Sequence, residues 1–373
     1  MNKEYYVLLI NSRKNSGDHL IRVRATELLK KHRQDRTLVE MNNWEPISDE
    51  NLITINNAKA AILLGGPGLR QDSYPNVYPL RKNLDDITVP IIMLGTGYRD
   101  MNTLADSSTS YIFSESTLKL LTKIEKSGYK SSVRDFLSLN TLLHKGFCNF
   151  SFSGCPALYE LNNIDVQNNN KINSIKKVAF ATGRGYLKYE GFFDQQIELI
   201  LKLNKYFSNI DFSVAFHDPI TDEPKMKLLI KILKEKRINY IDISSTADKL
   251  TSFYNNIDLQ IGYRVHAHIY MASIGKPTVL ICEDSRGLGI RTVLNGLIFN
   301  AYNFQPLSFI DRVRIKFSNK SVQKNFIPAK NLYNDIVVNI ESEIRNDWPR
   351  IKATNSIIQC YYNEFIKILK QLP

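Results

Sequence analysis

The first half of the chain alternates short apolar runs with amphipathic stretches, the rhythm of strands followed by helices. Tyr5 to Ile10 (YYVLLI) reads as a buried strand. A polar turn, NSRKNSGD, follows, and then a helix from about Asp18 to His32 with apolar residues at Leu20, Ile21, Val23, Leu28 and Leu29. Two later runs end in glycine: Ala60 to Leu64 leads into Gly65, Gly66, Pro67 and Gly68, and Val89 to Leu94 leads into Gly95, Thr96 and Gly97. Glycine at a strand end lets backbone amides approach whatever occupies the carboxyl edge of a sheet. Neither run has GxGxxG spacing with an acid at the expected distance, so both read as tight turns at a cleft edge and not as a dinucleotide fingerprint.

Between Leu161 and Ser174 the chain becomes LNNIDVQNNNKINS, polar and without periodicity, and reads as a linker. A second alternating array follows. Strands are expected at Lys177 to Ala181, Phe212 to Phe216, Tyr240 to Ile243, Leu259 to Gly262 and Thr278 to Cys282; helices at Phe192 to Phe207, Pro224 to Lys236, Ala247 to Tyr254 and His266 to Ile274. Such alternation implies parallel βαβ units with right-handed crossovers. The expected architecture is therefore α/β: two Rossmann-like domains, residues 1–165 and 175–330, facing across a cleft in the arrangement called GT-B. The remaining segment, 331–373, carries Trp348, Ile357, Tyr361, Phe365 and Leu369 near helical spacing and is long enough to cross back onto the first domain.

A length of 373 residues fits two cores, and 43% hydrophobic residues exclude disorder. No run of about 18 apolar residues occurs, and the start MNKEYYVLLINSRKNSGD has too short an apolar core for a signal peptide, so a cytoplasmic location is expected. The four cysteines, Cys148, Cys155, Cys282 and Cys360, lack metal-ligand spacing and read as reduced and structural. A formal net charge of +12 points to anionic partners, including an anionic membrane face for peripheral contact. Basic residues recur at Arg22 to Arg36, Lys227 to Arg237 and Arg312 to Lys324, but such runs are usually solvated helix faces. Without a nucleic-acid-binding pattern, nucleic acid is not an expected partner.

The most informative stretch is Ile261 to Arg286, IGYRVHAHIYMASIGKPTVLICEDSR. It places Arg264, His266 and His268 where an apolar strand turns into a helix, the position at which α/β proteins bind ligands. An arginine with a nearby imidazole supplies an anion clamp and a proton donor. A lone His on an apolar helix would read as packed, but the arginine two residues earlier needs an anion or several acceptors. His268 reads either as a helper to His266 or as a packed neighbour. Other candidates sit at further strand ends: Arg184 in ATGRGY, otherwise a surface turn arginine, and His217 with Asp218 in AFHDP.

Several segments, in order, resemble the polysaccharide pyruvyl transferase family. Asn15, Gly17 and Asp18 look like its N-x-GD turn, Ser132 to Asp135 (SVRD) with Leu137 and Ser138 like its RD element, and Ser153 to Leu158 (SGCPAL) like its GCP element. Arg264 to His266 (RVH), the Ala272 to Pro277 segment and Asp284 to Arg286 (DSR) complete the series. The chain departs from the family pattern at Pro67 within its glycine turn, at Tyr263 before the RxH element, and at Gly287, Leu288 and Gly289 after DSR. The resemblance implies transfer of pyruvyl from phosphoenolpyruvate to a sugar or lipid-linked oligosaccharide, closing a cyclic ketal across two hydroxyls, with neither cofactor nor metal. It implies an anion clamp from Arg264, Arg184 and Arg286, beside Asp284, and His266 as general acid with a pKa close to cytosolic pH. Arg134 and Asp135 would orient the acceptor, unless they form a structural ion pair. His217, Asn15 and Asp18 would border the site, although Asp18 reads more readily as a helix N-cap. A cleft with several cations and few acids would hold the free domains apart by repulsion. The rival reading is a GT-B glycosyltransferase using a nucleotide sugar, with Glu283 or Asp284 on the ribose.

Overall fold

The apolar run Tyr5–Ile10 forms strand β1, buried from Tyr6 onward because it lies inside a parallel sheet. The computed structural model describes residues 4–10, 14–100, 107–164, 172, 174–185, 191–304 and 326–373. After β1 come β2 (Thr37–Asn42), β3 (Ala60–Leu69), β4 (Ile91–Tyr98), β5 (Ser131–Val133) and β6 (Phe150–Phe152), hydrogen-bonded in the order β2-β1-β3-β4-β5-β6. The second sheet holds β7 (Lys177–Ala181), β8 (Asp211–Phe216), β9 (Asn239–Asp242), β10 (Leu259–Gly262), β11 (Thr278–Cys282) and β12 (Leu297–Asn300), in the order β12-β11-β10-β7-β8-β9. Neighbouring strands in both sheets run parallel. Two Rossmann-like α/β domains thus face each other in a GT-B-like pair.

The strand order locates the ligand edge of each sheet. From β1 the chain goes first to β2 on one side and then to β3 on the other; from β7 it goes outward to β8 and β9 before returning to β10. Each reversal leaves a crevice at the carboxyl ends of the two strands it separates, where open α/β sheets bind ligands. Asn15 and Asp18 follow β1, Arg70 follows β3, Arg184 follows β7 and Arg264 follows β10.

Some elements differ from the sequence reading. β3 continues through the GGPG segment to Leu69, with its register against β4 shifting between Gly66 and Leu69, and β4 runs through GTG to Tyr98. The glycines lie within the strands, where Gly65, Gly66 and Gly95 take positive φ, and not in turns after them. β2 went unread because it is an edge strand with partly exposed residues throughout, and β5 and β6 because each has only three residues. Most of the expected linker lies outside the described residues, as does the basic run Arg312 to Lys324. Cys155 and Cys282 are buried, whereas Cys148 and Cys360 are exposed, so apolar surroundings hold for only two of the four free thiols. Among the described residues no helix is long and apolar enough to cross a membrane.

The C-terminal segment touches both domains. Helix Leu332–Arg345 contributes Ile336 and Ile340 to the second-domain core. Helix Pro349–Lys370 places Ile358, Tyr362, Phe365 and Leu369 in the apolar cluster of the first domain. Its buried stripe therefore runs through Ile358 and Tyr362, leaving the expected Ile357 and Tyr361 half-buried. Arg33 secures the end of the chain, donating from Nη1 to the carbonyls of Leu369 (3.2 Å) and Leu372 (2.7 Å). Carbonyls at a helix end lack their usual intrahelical donors, and that of Leu369 accepts from Arg33 in addition to the Leu372 amide at 3.3 Å.

The first-domain cluster continues without a break into the second domain. Leu20, Leu28 and Leu158 share it with Leu250, Tyr254, Ala267, Ile269 and Met271. Phe365 is fully buried against this first-domain surface, so Phe365→Ala should lower stability by about 3–5 kcal/mol, the usual cost of deleting a buried aromatic side chain. Urea unfolding of the variant measures this; an unchanged midpoint would mean the helix does not dock there in solution.

Candidate functional site

Helix Ser16–His32 begins at Asn15, whose Oδ1 accepts hydrogen bonds from the amides of Gly17 (2.9 Å) and Asp18 (3.3 Å). Asn15, and not Asp18, is the N-cap. Asp18 is thereby released from the capping role expected of it and stands in the first turn, in the cleft. The helix start also lies directly against the second domain. A Cβ on Gly17 would sit 2.1 Å from Nδ1 of His266, so only glycine admits this approach. Asn15 Nδ2 meanwhile donates to Asp218 at 3.2 Å, and the Ser245 amide donates to the Lys14 carbonyl at 2.8 Å.

On the second domain, Arg264 stands at the end of β10 and at the head of helix Val265–Ser273. Its Nε donates to the Thr182 carbonyl at 2.7 Å and its Nη2 to Asp218 at 2.5 Å. Arg184 faces the other oxygen of Asp218 at 3.7 Å. Glu283 accepts from the amides of Arg184 and Gly185, both at 2.9 Å, and so shapes the loop after β7. Asp284 caps helix Ser285–Arg291 and receives the Nε of Arg286 at 2.8 and 2.9 Å and that of Arg99 at 3.2 Å.

These groups enclose a cavity of about 370 Å³ between the domains. Of the residues predicted from sequence, Asn15, Asp18, Arg184, His217, Arg264, His266, Asp284 and Arg286 line it. Two arginines that sequence reading missed, Arg70 and Arg99, join them. Their signal was that each directly follows a strand, visible only if β3 and β4 are read through their glycines. The lining holds five arginines against four carboxylates, Asp18, Asp218, Glu283 and Asp284. The expected excess of cations is therefore mostly offset in place by these carboxylates.

Three predicted residues lie outside the lining. His268 is fully buried in the second domain, its Nδ1 bonded to Thr278 Oγ1 at 3.0 Å, and Thr278 in turn bonds Gln260 at 2.6 Å; it packs and does not assist His266. Asp135 caps helix Phe136–Leu143 through the Ser138 amide at 2.7 Å and packs so closely on Gly289 that a Cβ there would fall 2.6 Å from its carboxyl carbon. Gly289, after the DSR element, thus admits this interdomain contact. Arg134 is buried over Gly97, with Nε 3.3 Å from Asp135. Neither residue is placed to touch an acceptor. Arg134 keeps both Nη groups without partners among the described residues, as His266 does its Nε2.

Burial and these neighbours set the protonation states. The His266 imidazole is pushed down to about 3 by burial and by Arg134, Arg286 and Arg264, which corrects the expectation of a pKa near cytosolic pH. Burial also lowers His268 to about 3 and holds His217 well below its usual value, with Arg264 adding to the latter effect. His217 is buried between Tyr254 OH at 2.8 Å and Ser16 Oγ at 3.5 Å. Burial raises Asp18 to about 6. Asp218 is buried too, but Arg264, Arg184 and Asn15 outweigh that burial and bring it down to about 2.

Protonation of the unfolded chain precedes that of the folded one at all three buried histidines. Their contribution to stability is therefore complete above about pH 6.5 and is lost as the pH falls below it. Asp18 acts oppositely, taking its proton first in the folded state below about pH 6. With roughly two protons of net difference between pH 6 and 4, stability should fall by about 2–3 kcal/mol per pH unit. Urea unfolding across that range tests the assignment, and a flat profile would contradict it.

A sequence model of the family described as polysaccharide pyruvyl transferase matches residues 15–285, from the Asn15 cap to the turn that holds Asp284. No curated protein sequence matches significantly. Among solved structures, Staphylococcus aureus MnaA, in its UDP co-structure, superposes with a TM-score of 0.50 at 11% identity, covering 94% of this chain and 91% of that one. A Listeria monocytogenes protein assigned as a UDP-N-acetylglucosamine 2-epimerase gives 0.50 at 10% identity over 93% and 98% of the two chains. At such identities the likeness concerns the fold alone. The family match spans most of the chain and takes in both walls of the cleft, and on that basis this protein belongs to the polysaccharide pyruvyl transferase family.

Proposed function

We propose that the cleft transfers the pyruvyl group of phosphoenolpyruvate to two hydroxyls of a sugar, or of a lipid-linked oligosaccharide, in surface polysaccharide synthesis. The observation that carries this reading is the placement of Arg184, Arg264, Arg286 and His266 from second-domain strand ends opposite Asp18 in one cavity. Phosphoenolpyruvate brings a phosphate and a carboxylate, and guanidinium forks suit both. The clamp arginines are already paired with Asp218 and Asp284, so the donor competes with internal carboxylates and gains only the difference.

In the proposed reaction His266 delivers a proton to the terminal methylene, which becomes a methyl group. The first acceptor hydroxyl bonds to the adjacent carbon and gives its proton to Asp18, whose raised pKa suits a base near neutral pH. The carbon–oxygen bond to phosphate then breaks, the second hydroxyl closes the ketal, and its proton is taken by the departing phosphate, which leaves as inorganic phosphate. His266 is neutral in the free protein because it is buried and because three arginines bear on it. Donor anions counter those arginines, and this supports protonation of His266 only once the donor is bound. The buried Nη groups of Arg134 would gain from the same negative charge. Glu283 and Asp284, which the nucleotide-sugar reading needs for a ribose, are occupied by backbone amides and arginines.

Phosphoenolpyruvate should raise the melting temperature of the protein, whereas uridine and cytidine sugars should not; the reverse result would favour the glycosyltransferase. His266→Ala should retain donor binding and lower turnover by roughly 100-fold or more, the scale for loss of a positioned acid. Near wild-type turnover would remove His266 from that role. Donor binding at pH 7 should also take up about one proton, detected by calorimetry in buffers of different ionisation enthalpy. Uptake that persists in His266→Ala would assign the proton elsewhere.

A further inference from the structure

The arginines of the cleft are not equivalent. Arg184 and Arg264 face Asp218, Arg286 faces Asp284 and Glu283, and Arg99 faces Asp284. Arg70 has no carboxylate within ion-pair distance among the described residues. Its Nε donates to the Pro67 carbonyl at 3.2 Å, which fixes the side chain without neutralising it. Arg70 also stands where two cavities join. The main cleft and a second space of about 80 Å³ share Asp18, Pro67 and Arg70.

The second space lies wholly on the first domain. Ile10, Ile21, Leu64 and Val77 give it apolar walls, and Tyr78 adds a polar edge. The glycines of β3 keep it open: only Asp18 Oδ1, at 3.9 Å, comes within 4 Å of where a Cβ on Gly66 would be. A ligand reaching it from the cleft would meet Asp18 and Arg70, which line both spaces. A neutral ligand there would strip water from a guanidinium and return no counter-charge, an unfavourable exchange.

We infer that Arg70 holds a negatively charged group carried by the acceptor, either the phosphate of a glycosyl phosphate or the carboxylate of a uronic acid, while the reacting hydroxyls face Asp18. The inference rests on the pyruvyl-transfer reading of the cleft. It divides the anion-binding work by domain: the second-domain arginines take the donor, and the first-domain Arg70 takes the acceptor. A bidentate contact to phosphate or carboxylate is the chemistry an unopposed arginine offers best.

Calorimetry on the full chain separates the possibilities. The probes are phosphoenolpyruvate and, for glucose, galactose and mannose, the methyl glycoside, the 1-phosphate and the methyl uronoside. Wild type should bind one charged sugar about 10-fold or more tightly than its neutral methyl glycoside, on the order of one charged hydrogen bond. Arg70→Gln should abolish that preference and leave phosphoenolpyruvate affinity within about 2-fold, a change smaller than one lost contact. Arg70→Lys should retain part of the preference, which excludes misfolding as the cause. Preference for the phosphate or for the uronate identifies the source of the charge. The inference is overturned if wild type does not discriminate, if Arg70→Gln keeps the preference, or if it weakens phosphoenolpyruvate binding instead. Failure of wild type to bind phosphoenolpyruvate would sink the pyruvyl-transfer reading, on a measurement involving no sugar.

Discussion

The site depends on one close approach: the first turn of helix Ser16–His32 lies against the second domain with only a glycine hydrogen between it and His266. The absent Cβ of Gly17 sets the distance between the walls of the cleft. Asn15 adds direction, because one amide side chain caps the helix through its oxygen and reaches Asp218 through its nitrogen. The residue that starts a first-domain helix is therefore bonded to the carboxylate that holds a second-domain arginine. Beneath this contact a continuous apolar cluster spans both domains, so the geometry at the cleft is backed by burial of nonpolar surface and not by polar bonds alone.

Charge in the cleft is arranged as a set of compensated pairs. Asp218 and Asp284 each hold two arginines in place, which keeps the guanidinium forks oriented before any ligand arrives. Buried pairs of this kind contribute little net stability, since desolvation offsets most of the attraction. Their use here is preorganisation. Two titrating groups of the cleft are displaced in opposite directions: burial and the arginines push His266 downward, whereas burial pushes Asp18 upward against the pull of its arginines.

Much of this was legible in one dimension. The apolar runs of the second domain marked β7, β10 and β11 to the residue, because strands buried on both faces leave uninterrupted apolar segments. Arginine and histidine immediately after such a run announce the carboxyl edge of a sheet, and Arg264, His266 and Arg184 were found that way. Of the two readings of His268, helper or packed neighbour, the second holds: two residues further along a helix is a different face, turned toward Thr278 and Gln260 in the core. Arg70 and Arg99 were missed because glycine was taken to end strands that continue through it.

By itself, then, the sequence determined the alternation of strands and helices, the two-domain α/β class, the family and most of the residues at the strand ends, since these follow from local periodicity and short motifs. Tertiary structure decided which of those residues meet. Arg134 and Asp135, the RD element of the family resemblance, lie buried outside the cleft lining, Asp135 spent on a helix cap and an interdomain contact with Gly289. The protonation of His266 was equally beyond sequence. Its neighbours Arg134, Arg286 and Arg264 come from three separate segments, and a pKa is set by burial and by charges in space, neither of which has a signature along the chain.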